Sequence, residues 1–144
     1  MDKAITRASE IINAKRGYIN GGLEFVTLTL VDEEGYPTSS AISLSKADGI
    51  NWLSFLSSTD SNKARRIAKN NKASVNISTY DYNINLVGTI EIVTDVETKQ
   101  QHWQQIFAEN HGAVDCPDHC ALVFTTKRYS IYFIDDDSNA EGTI

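Results

Sequence analysis

The sequence contains few cysteines and no long hydrophobic segment, and both shortages limit the class of protein. Only two cysteines occur among 144 residues, and we interpret them as reduced thiols, because stable disulfides belong to oxidising compartments. No apolar run approaches the roughly 18 residues that a membrane-spanning helix needs. The N-terminal MDKAITRASEII also lacks the pattern of a signal peptide. We therefore expect a cytoplasmic protein without a membrane partner.

Positive charge is also scarce. The chain has 13 Lys and Arg against 19 Asp and Glu, which gives a net charge of -6 and a pI near 4.9. Such a field repels nucleic acid and anionic membranes, so neither is expected as a partner. Five of the 13 cations nevertheless lie within ten positions, at Lys63, Arg65, Arg66, Lys69 and Lys72. No acidic residue occurs from Ser61 through Tyr80.

The two cysteines lie near two histidines, and a cluster of these two residue types can bind zinc. The four residues are Cys116, Cys120, His111 and His119. Structural zinc sites usually combine a CxxC pair with a second, well-separated pair of ligands. This segment lacks that arrangement. We therefore predict no metal site, and we interpret the cysteines as ordinary thiols in a loop and the following strand.

Hydrophobic periodicity divides the chain into helices and strands. Apolar residues at helical spacing predict an N-terminal helix over residues 1–17, and their positions are Ile5, Ala8, Ile11 and Ile12. Further helices are predicted over 61–70 and over 95–110, where the seam is Val96, His102, Trp103, Ile106 and Phe107. The predicted strands are 23–31, 38–45, 51–57, 73–80 and 83–93, with a final pair inside 121–134 around Lys127 and Arg128.

Turn residues and composition complete the predicted organisation. DEEGYP turns the chain between the first two strands, so residues 23–45 are predicted to form a β-hairpin, and KADGI is predicted to form the next turn. Gly88 is predicted to mark a β-bulge or a close backbone approach. The acidic tail, residues 135–144, is predicted to be disordered. Residues 1–144 are predicted to form a single domain, mainly β with flanking helices, in which an antiparallel barrel is favoured over a sandwich.

The basic segment is preceded by hydroxyl groups, and this combination suits an anion. A helix N-terminus carries partial positive charge, so cations are not favoured there, yet the first two turns hold Lys63, Arg65 and Arg66. Residues 57–61 read SSTDS immediately before them. Hydroxyls, free backbone N–H groups and a nearby ammonium together suit a phosphate monoester. The alternative is that the hydroxyls only cap the helix and the cations form a solvated face.

The order of these parts resembles a known family. The segments that carry the resemblance are DEEGYPTSSAISLS, WLSFLSSTDSNKARRIAKNNKASVNI, NLVGTIEIV, HWQQIF and the final strand pair, within residues 23–134. Together they resemble the pyridoxamine 5'-phosphate oxidase-like flavoproteins, and among these the general stress protein 26 group. The resemblance implies a split β-barrel, a homodimer, and two FMN molecules bound at the subunit interface.

The resemblance also implies where FMN would bind. The turn before helix 61–70 would hold the phosphate, the backbone of strand 38–45 would follow the isoalloxazine and ribityl chain, and Asn83 would come from the partner subunit. The implied cofactor-binding residues are Ser40, Ala41, Ile42, Ser43, Ser57, Ser58, Ser61, Asn62, Lys63 and Asn83, with Thr59 as a neighbour. Trp103 matches an aromatic residue of the late helix, with core packing as the alternative.

The chain departs from the oxidases of that family at two places. Many true oxidases have an arginine near position 41 that helps to clamp the phosphate, whereas this chain reads SSAIS. FMN would therefore be held weakly, or by Lys63 and Arg66 instead. The oxidase also binds its substrate through an Arg-x-His-type signature near the C-terminus, where this chain reads RYSIYFIDDD. Oxidation of pyridoxamine phosphate is therefore not expected.

Three functions stay open at this point. The first is an FMN-dependent oxidoreductase of small substrates, with NAD(P)H as a candidate electron donor. The second is a flavin-binding, flavin-storing or redox-sensing protein without turnover. The third is a split barrel that has lost flavin and binds another anion or haem, or serves only as a dimeric partner. No residue is assigned as a catalytic acid or base, since a flavin carries out hydride or electron transfer itself.

Overall fold

The computed structural model describes residues 2–15, 18–19, 22–104 and 112–144. The helices are α1 (Lys3–Ala14), α2 (Asn62–Lys69) and α3 (Val96–His102). The strands are β1 (Tyr18–Ile19), β2 (Gly22–Leu23), β3 (Phe25–Val31), β4 (Pro37–Ser43), β5 (Lys46–Asp48), β6 (Trp52–Ser58), β7 (Lys72–Ser78), β8 (Tyr82–Val93), β9 (His119–Phe133) and β10 (Ser138–Thr143). The predicted hairpin of residues 23–45 is present as β3 and β4, which pair antiparallel.

The longer strands form one antiparallel sheet that curls into a partly open barrel. Its order is β4-β3-β7-β8-β9-β6-β5, and each neighbouring pair is antiparallel. The first half of β9 pairs with β6, and its second half pairs with β10. β4 also contacts β6, and just beyond β4 the Ser45 N–H donates to the Ser54 carbonyl at 2.8 Å. The predicted antiparallel barrel is therefore confirmed.

The barrel interior is filled by alternate residues of the strands. Leu28, Val75, Leu86 and Ile131 lie in one hydrophobic cluster and are at most 2% exposed. Burying each such side chain stabilises the fold by about 1.5–3 kcal/mol. The helices add buried residues to the same cluster, namely Ala4, Ala8 and Ile12 from α1 and Ile67 from α2. The other face of β3, β7 and β8 carries mostly small polar side chains and remains accessible.

Gly88 marks both features that the sequence predicts for it. Across the β8–β9 ladder, Val87 pairs with Arg128 but Gly88 pairs with Thr126, so Lys127 is the extra residue of a bulge. A Cβ atom at position 88 would lie 2.0 Å from the Thr125 carbonyl oxygen. Only glycine fits this close approach.

The prediction of a strand pair around Lys127 and Arg128 is wrong. β9 continues through both residues as one strand, because the bulge accommodates this basic pair without a turn.

The prediction that the tail, residues 135–144, is disordered is also wrong, because most of the tail forms strand β10. β10 pairs with β9 from Ser138↔Phe133 to Thr143↔Arg128. Backbone pairing needs no apolar side chains, so an acidic segment can occupy an open strand edge.

Two smaller differences concern KADGI and the ends of the helices. Lys46–Asp48 forms β5 and pairs with β6, because Ala47 is buried opposite Leu53, and the turn follows at Gly49. Helix α1 ends at Ala14, and Gly17, which was predicted to close it, lies outside the described residues. Helix α3 ends at His102, whereas Ile106 and Phe107 of the predicted seam lie outside the described residues. In the described part of the chain, no helix is both long and apolar enough to cross a membrane.

Candidate functional site

The junction between β6 and α2 is built around two serine side chains. Ser61 is the N-cap of α2, and its Oγ accepts a hydrogen bond from the Ala64 N–H at 3.1 Å. The Oγ atoms of Ser57 and Ser61 lie 2.9 Å apart and share a hydrogen bond. Ser61 N donates to the Ser58 carbonyl at 3.1 Å, which closes the turn. The start of the helix is thus fixed to the end of a buried strand.

Several hydrogen-bond donors at this junction have no acceptor among the described residues. The backbone N–H groups of Asn62 and Lys63 have no hydrogen-bond acceptor among the described residues. The half-buried Lys63 side chain has no ion-pair partner there either. Free N–H groups at a helix start, beside an ammonium, form a favourable site for an anion.

The other cations of the first two turns have partners within the protein. Arg65 donates through Nη1 to the Asp60 carbonyl at 3.0 Å and through Nη2 to the Asn62 side-chain oxygen. Arg66 Nε lies 3.5 Å from Glu33 Oε2. The pKa of Glu33 lies below its ordinary value, first because its own backbone N–H donates to the carboxylate and then because the Arg66 guanidinium is near. Lys63 therefore differs from Arg65 and Arg66 in having no described partner.

A polar cavity borders the same turn on the side of Thr59. Its volume is about 450 Å³, and its lining residues are Ser58, Thr59, Asp60, Asp118 and His119. Two carboxylates make this cavity unfavourable for a phosphate. Thr59 is held on this side, because its N–H donates to the Asp118 carbonyl and its Oγ1 donates to the Pro117 carbonyl, both at 2.8 Å. The free donors of Asn62 and Lys63 are therefore the better position for an anion.

The four consecutive site residues predicted on β4 lie at the edge of the sheet. β4 ends the strand order and pairs with β3 alone among the described strands, so part of its backbone faces outward unpaired. Ser40, Ala41 and Ser43 are exposed or half-exposed, and Ala41 and Ser43 lie opposite Thr27 and Phe25 of β3. The Ile42 side chain belongs to the core. Any contact of Ile42 with a ligand would come from its backbone.

Asn83 lies apart from β4 in the same chain. Three strand spacings separate β8 from β4, roughly 14 Å. The exposed Asn83 side chain accepts a hydrogen bond through Oδ1 from Asn76 Nδ2 at 2.9 Å. The structure therefore brings Ser57, Ser61, Asn62 and Lys63 together at one junction, and it does not bring Asn83 to that junction.

A second cavity opens on the exposed face of the sheet beyond Asn83. Its volume is about 570 Å³, and it is lined by Asn85, Val87, Arg128, Tyr129, Ser130, Glu141, Gly142 and Thr143. On the same face, the side chains of Phe25 and Tyr132 are 57% and 40% exposed.

Two of the cysteine and histidine residues lie beside this junction, since the Cys120 thiol donates to the Ser57 carbonyl at 3.6 Å and His119 lines the polar cavity. Burial raises the pKa of the Cys120 thiol and lowers the pKa of His102. His111 lies outside the described residues, and no group of three potential metal ligands occurs among the residues that are described. Trp103 packs against Leu56 and Ala121 in a small hydrophobic cluster, which agrees with the core interpretation.

One residue of this region was missed by the sequence analysis. Lys99 of α3 is 1% exposed, and its Nζ donates to the carbonyls of Cys116 and His119, each at 3.0 Å. The sequence carries no signal for this role, because a lysine in a polar helix is ordinarily exposed. The contacts join α3 to the segment that also binds Thr59.

The described residues form an antiparallel split barrel with unused hydrogen-bond donors at one strand–helix junction and an exposed edge strand. The family model described as "Pyridoxamine 5'-phosphate oxidase" matches residues 19–133. The chain belongs to the pyridoxamine 5'-phosphate oxidase family, and the resemblance seen in the sequence is confirmed. No curated protein matches the chain significantly.

Solved structures agree with this family and with the split-barrel fold. A protein from Clostridium acetobutylicum, related to general stress protein 26 of B. subtilis, is 26% identical with a TM-score of 0.80, over 99% of this chain and 95% of that one. General stress protein 26 from Bacillus anthracis is 18% identical with a TM-score of 0.69, over 97% of both chains. A heme-binding protein from Mycobacterium smegmatis is 17% identical with a TM-score of 0.68, over 94% of this chain and 57% of that one.

Proposed function

We propose that the protein binds FMN and acts as an FMN-dependent oxidoreductase of small substrates, and that it is not a pyridoxamine phosphate oxidase. The observation that carries this proposal is the set of unused donors at the start of α2. The N–H groups of Asn62 and Lys63 and the Lys63 ammonium have no described partner, although the neighbouring side chains of Ser57, Ser61 and Arg65 are hydrogen-bonded. A terminal phosphate monoester fits this donor set.

The isoalloxazine would lie along β4. Ala41 and Ser43 present small side chains on the exposed face, and the unpaired edge of β4 offers backbone N–H and C=O groups to the polar edge of a ring. When bound, FMN would supply hydride or one-electron transfer. The chain itself would hold the phosphate at Lys63, align the ring on β4 and exclude water from it.

The flavin site would be completed by a second copy of the chain. Asn83 lies three strands from β4, on the exposed face with Phe25 and Tyr132. Pairing this face with its copy in a homodimer would cover the two aromatic side chains and bring the partner's Asn83 to the ring.

The region where the oxidase binds its phosphorylated substrate supports a different substrate here. Asp135 and Asp136 follow β9 and are engaged by Arg7 and Lys3 of α1. A phosphate substrate would meet these carboxylates in place of a basic signature. The described acids with a shifted pKa near β4 are Asp32 and Glu33, and the pKa of each is lowered first by a backbone N–H donor. A carboxylate with a lowered pKa is a poor general acid or base at neutral pH. This favours, as a second candidate, a protein that stores flavin or senses its redox state without turnover.

The test begins with the purified protein and added FMN. We expect a flavin absorbance spectrum, quenching of flavin fluorescence on binding, and a dimer in sedimentation experiments. Bleaching of the bound flavin by NADH or NADPH would favour the oxidoreductase, whereas binding without bleaching by any donor would favour the second candidate. Absence of FMN binding at millimolar concentration would refute both.

A further inference from the structure

Lys99 is buried without a described carboxylate partner. Its side chain is 1% exposed, and its Nζ donates to the carbonyls of Cys116 and His119. Buried lysines are rare because removing an ammonium from water is costly unless it is well hydrogen-bonded. Two carbonyl acceptors at 3.0 Å show that the segment around positions 116–119 is arranged about this one side chain.

All four consecutive carbonyls of this segment are hydrogen-bonded. Lys99 Nζ binds the first and the last, at Cys116 and His119, while Thr59 binds the two between them. The Thr59 Oγ1 donates to the Pro117 carbonyl, and the Thr59 N–H donates to the Asp118 carbonyl. Lys99 and Thr59 therefore fix the same short segment from opposite sides.

Thr59 belongs to the turn that starts α2. It follows Ser58, which pairs with His119 in the β6–β9 ladder and accepts the Ser61 N–H. Ser61 in turn caps the helix whose first N–H groups are free. A chain of direct contacts thus runs from Lys99 through residues 116–119 and Thr59 to the donors of Asn62 and Lys63.

We propose that Lys99 is a positioning residue for the anion site at the start of α2, acting through the 116–119 carbonyls and Thr59. The inference rests on the proposed FMN function, since it assigns Lys99 a part in holding the cofactor phosphate. Lys99 does not touch the phosphate. It holds the turn so that the Asn62 and Lys63 N–H groups converge on one point.

The experiment compares FMN with riboflavin, which has the same ring but no phosphate. In Lys99→Met we expect the Kd for FMN to rise about tenfold, as for loss of a charge-assisted contact, while the Kd for riboflavin stays unchanged. Lys127→Met removes an exposed lysine from β9 and should alter neither Kd. In the flavin-free protein, the Thr59 amide should exchange its hydrogen faster in Lys99→Met, because its acceptor segment is no longer held.

Thr59 offers a second test that does not depend on a buried substitution. Thr59 is exposed, so Thr59→Val should fold, and its loss of Oγ1 should reproduce the selective weakening of FMN. Thr59→Ser keeps the hydroxyl and should restore wild-type affinity. If Lys99→Met does not fold, the two Thr59 variants decide the question.

The outcomes separate this inference from the proposed function. Wild-type protein that binds FMN and riboflavin equally would overturn the phosphate site and the role of Lys99 with it. Wild-type preference for FMN that survives in both Lys99→Met and Thr59→Val would overturn the role of Lys99 alone. Equal weakening of both flavins in Lys99→Met would also overturn it, because a loss of general stability would then explain the effect.

Discussion

The chain has two basic clusters on helices, and they are satisfied in different ways. On α1, Lys3 Nζ lies 2.6 Å from Asp136 Oδ2, and Arg7 Nη1 lies 3.1 Å from Asp135 Oδ1. Arg7 also lies over the Phe133 ring, 4.0 Å from its centroid. At the start of α2, Lys63 has no comparable partner among the described residues. The cations of the α1 cluster are therefore paired within the protein, whereas Lys63 of the α2 cluster has no ion-pair partner among the described residues.

This difference separates a structural role from a binding role. The carboxylates at the β9–β10 turn fix α1 against the barrel, so the charges of that cluster are already used for folding. The start of α2 combines two N–H groups and an ammonium that have no partner in the described part of the chain, and an anion supplied from outside would satisfy all three. Removing a cation from α1 should therefore change stability, whereas removing one from the start of α2 should change ligand affinity.

Lys63→Met should produce the largest effect. The Kd for FMN should rise about ten- to a hundredfold, which corresponds to the roughly 1.5–3 kcal/mol of a hydrogen bond to a charged group. The melting temperature of the flavin-free protein should stay the same, because the side chain has no described partner. Flavin fluorescence titration and thermal unfolding measure the two quantities.

Lys3→Met is the matched control for that experiment. It removes a lysine from the other cluster, so it should leave the Kd for FMN unchanged and lower the melting temperature slightly, as for an exposed ion pair. Equal effects of the two substitutions on FMN binding would contradict the comparison, since they would reflect the net charge of the protein rather than a site.

Ser61 allows the cap of α2 to be separated from the anion site. Ser61→Ala removes the N-cap and should lower the free energy of unfolding by about 1 kcal/mol. Ser61→Asp should restore that stability, because aspartate caps as well as serine, but its carboxylate should repel the phosphate and weaken FMN binding. Urea unfolding and FMN titration of both variants check this. Tight FMN binding by Ser61→Asp would place the phosphate elsewhere.

Most of the fold could be predicted because its signals are local. The β3–β4 hairpin, the Ser61 cap and the bulge at Gly88 each depend on a few adjacent residues. β10 could not be predicted in the same way, because Ser138–Thr143 is a strand only where the edge of β9 is open to it. The acidic composition of the tail suggested disorder, but its residues Asp135 and Asp136 form ion pairs with α1.

The strand–helix junction was predictable from the sequence, but its hydrogen bonds and ion pairs were not. The junction itself follows from the SSTDSNK sequence, but the sequence does not show which cations are already paired. Arg66 was expected to help hold the phosphate, and the structure places its Nε beside Glu33 of the β3–β4 turn. Lys99 gave no signal at all, because its partners are backbone carbonyls 17 and 20 residues away.

Lowering the pH should weaken the ion pairs of the α1 cluster and so reduce stability, and this is the smallest of the expected effects. The pKa of Asp136 lies well below its ordinary value, first because Lys3 donates to it and then because Ser138 does. The unfolded chain therefore binds a proton more readily than the folded one. The stabilisation is complete above about pH 4, near the ordinary pKa of aspartate, and is lost as the pH falls toward the lowered value.

Asp136→Asn should remove this pH dependence while keeping a side-chain oxygen for the Ser138 N–H. The melting temperature of the variant should fall less steeply between about pH 4 and pH 2 than that of the wild type. Asp81→Asn alters an exposed aspartate without a described ion pair and should follow the wild-type curve. FMN affinity at neutral pH should be the same in all three proteins, because Asp136 belongs to the cluster that is complete without a ligand. Parallel melting curves for wild type and Asp136→Asn would show that the α1 contacts do not contribute to stability. That result would contradict the claim that the basic cluster of α1 has a structural role.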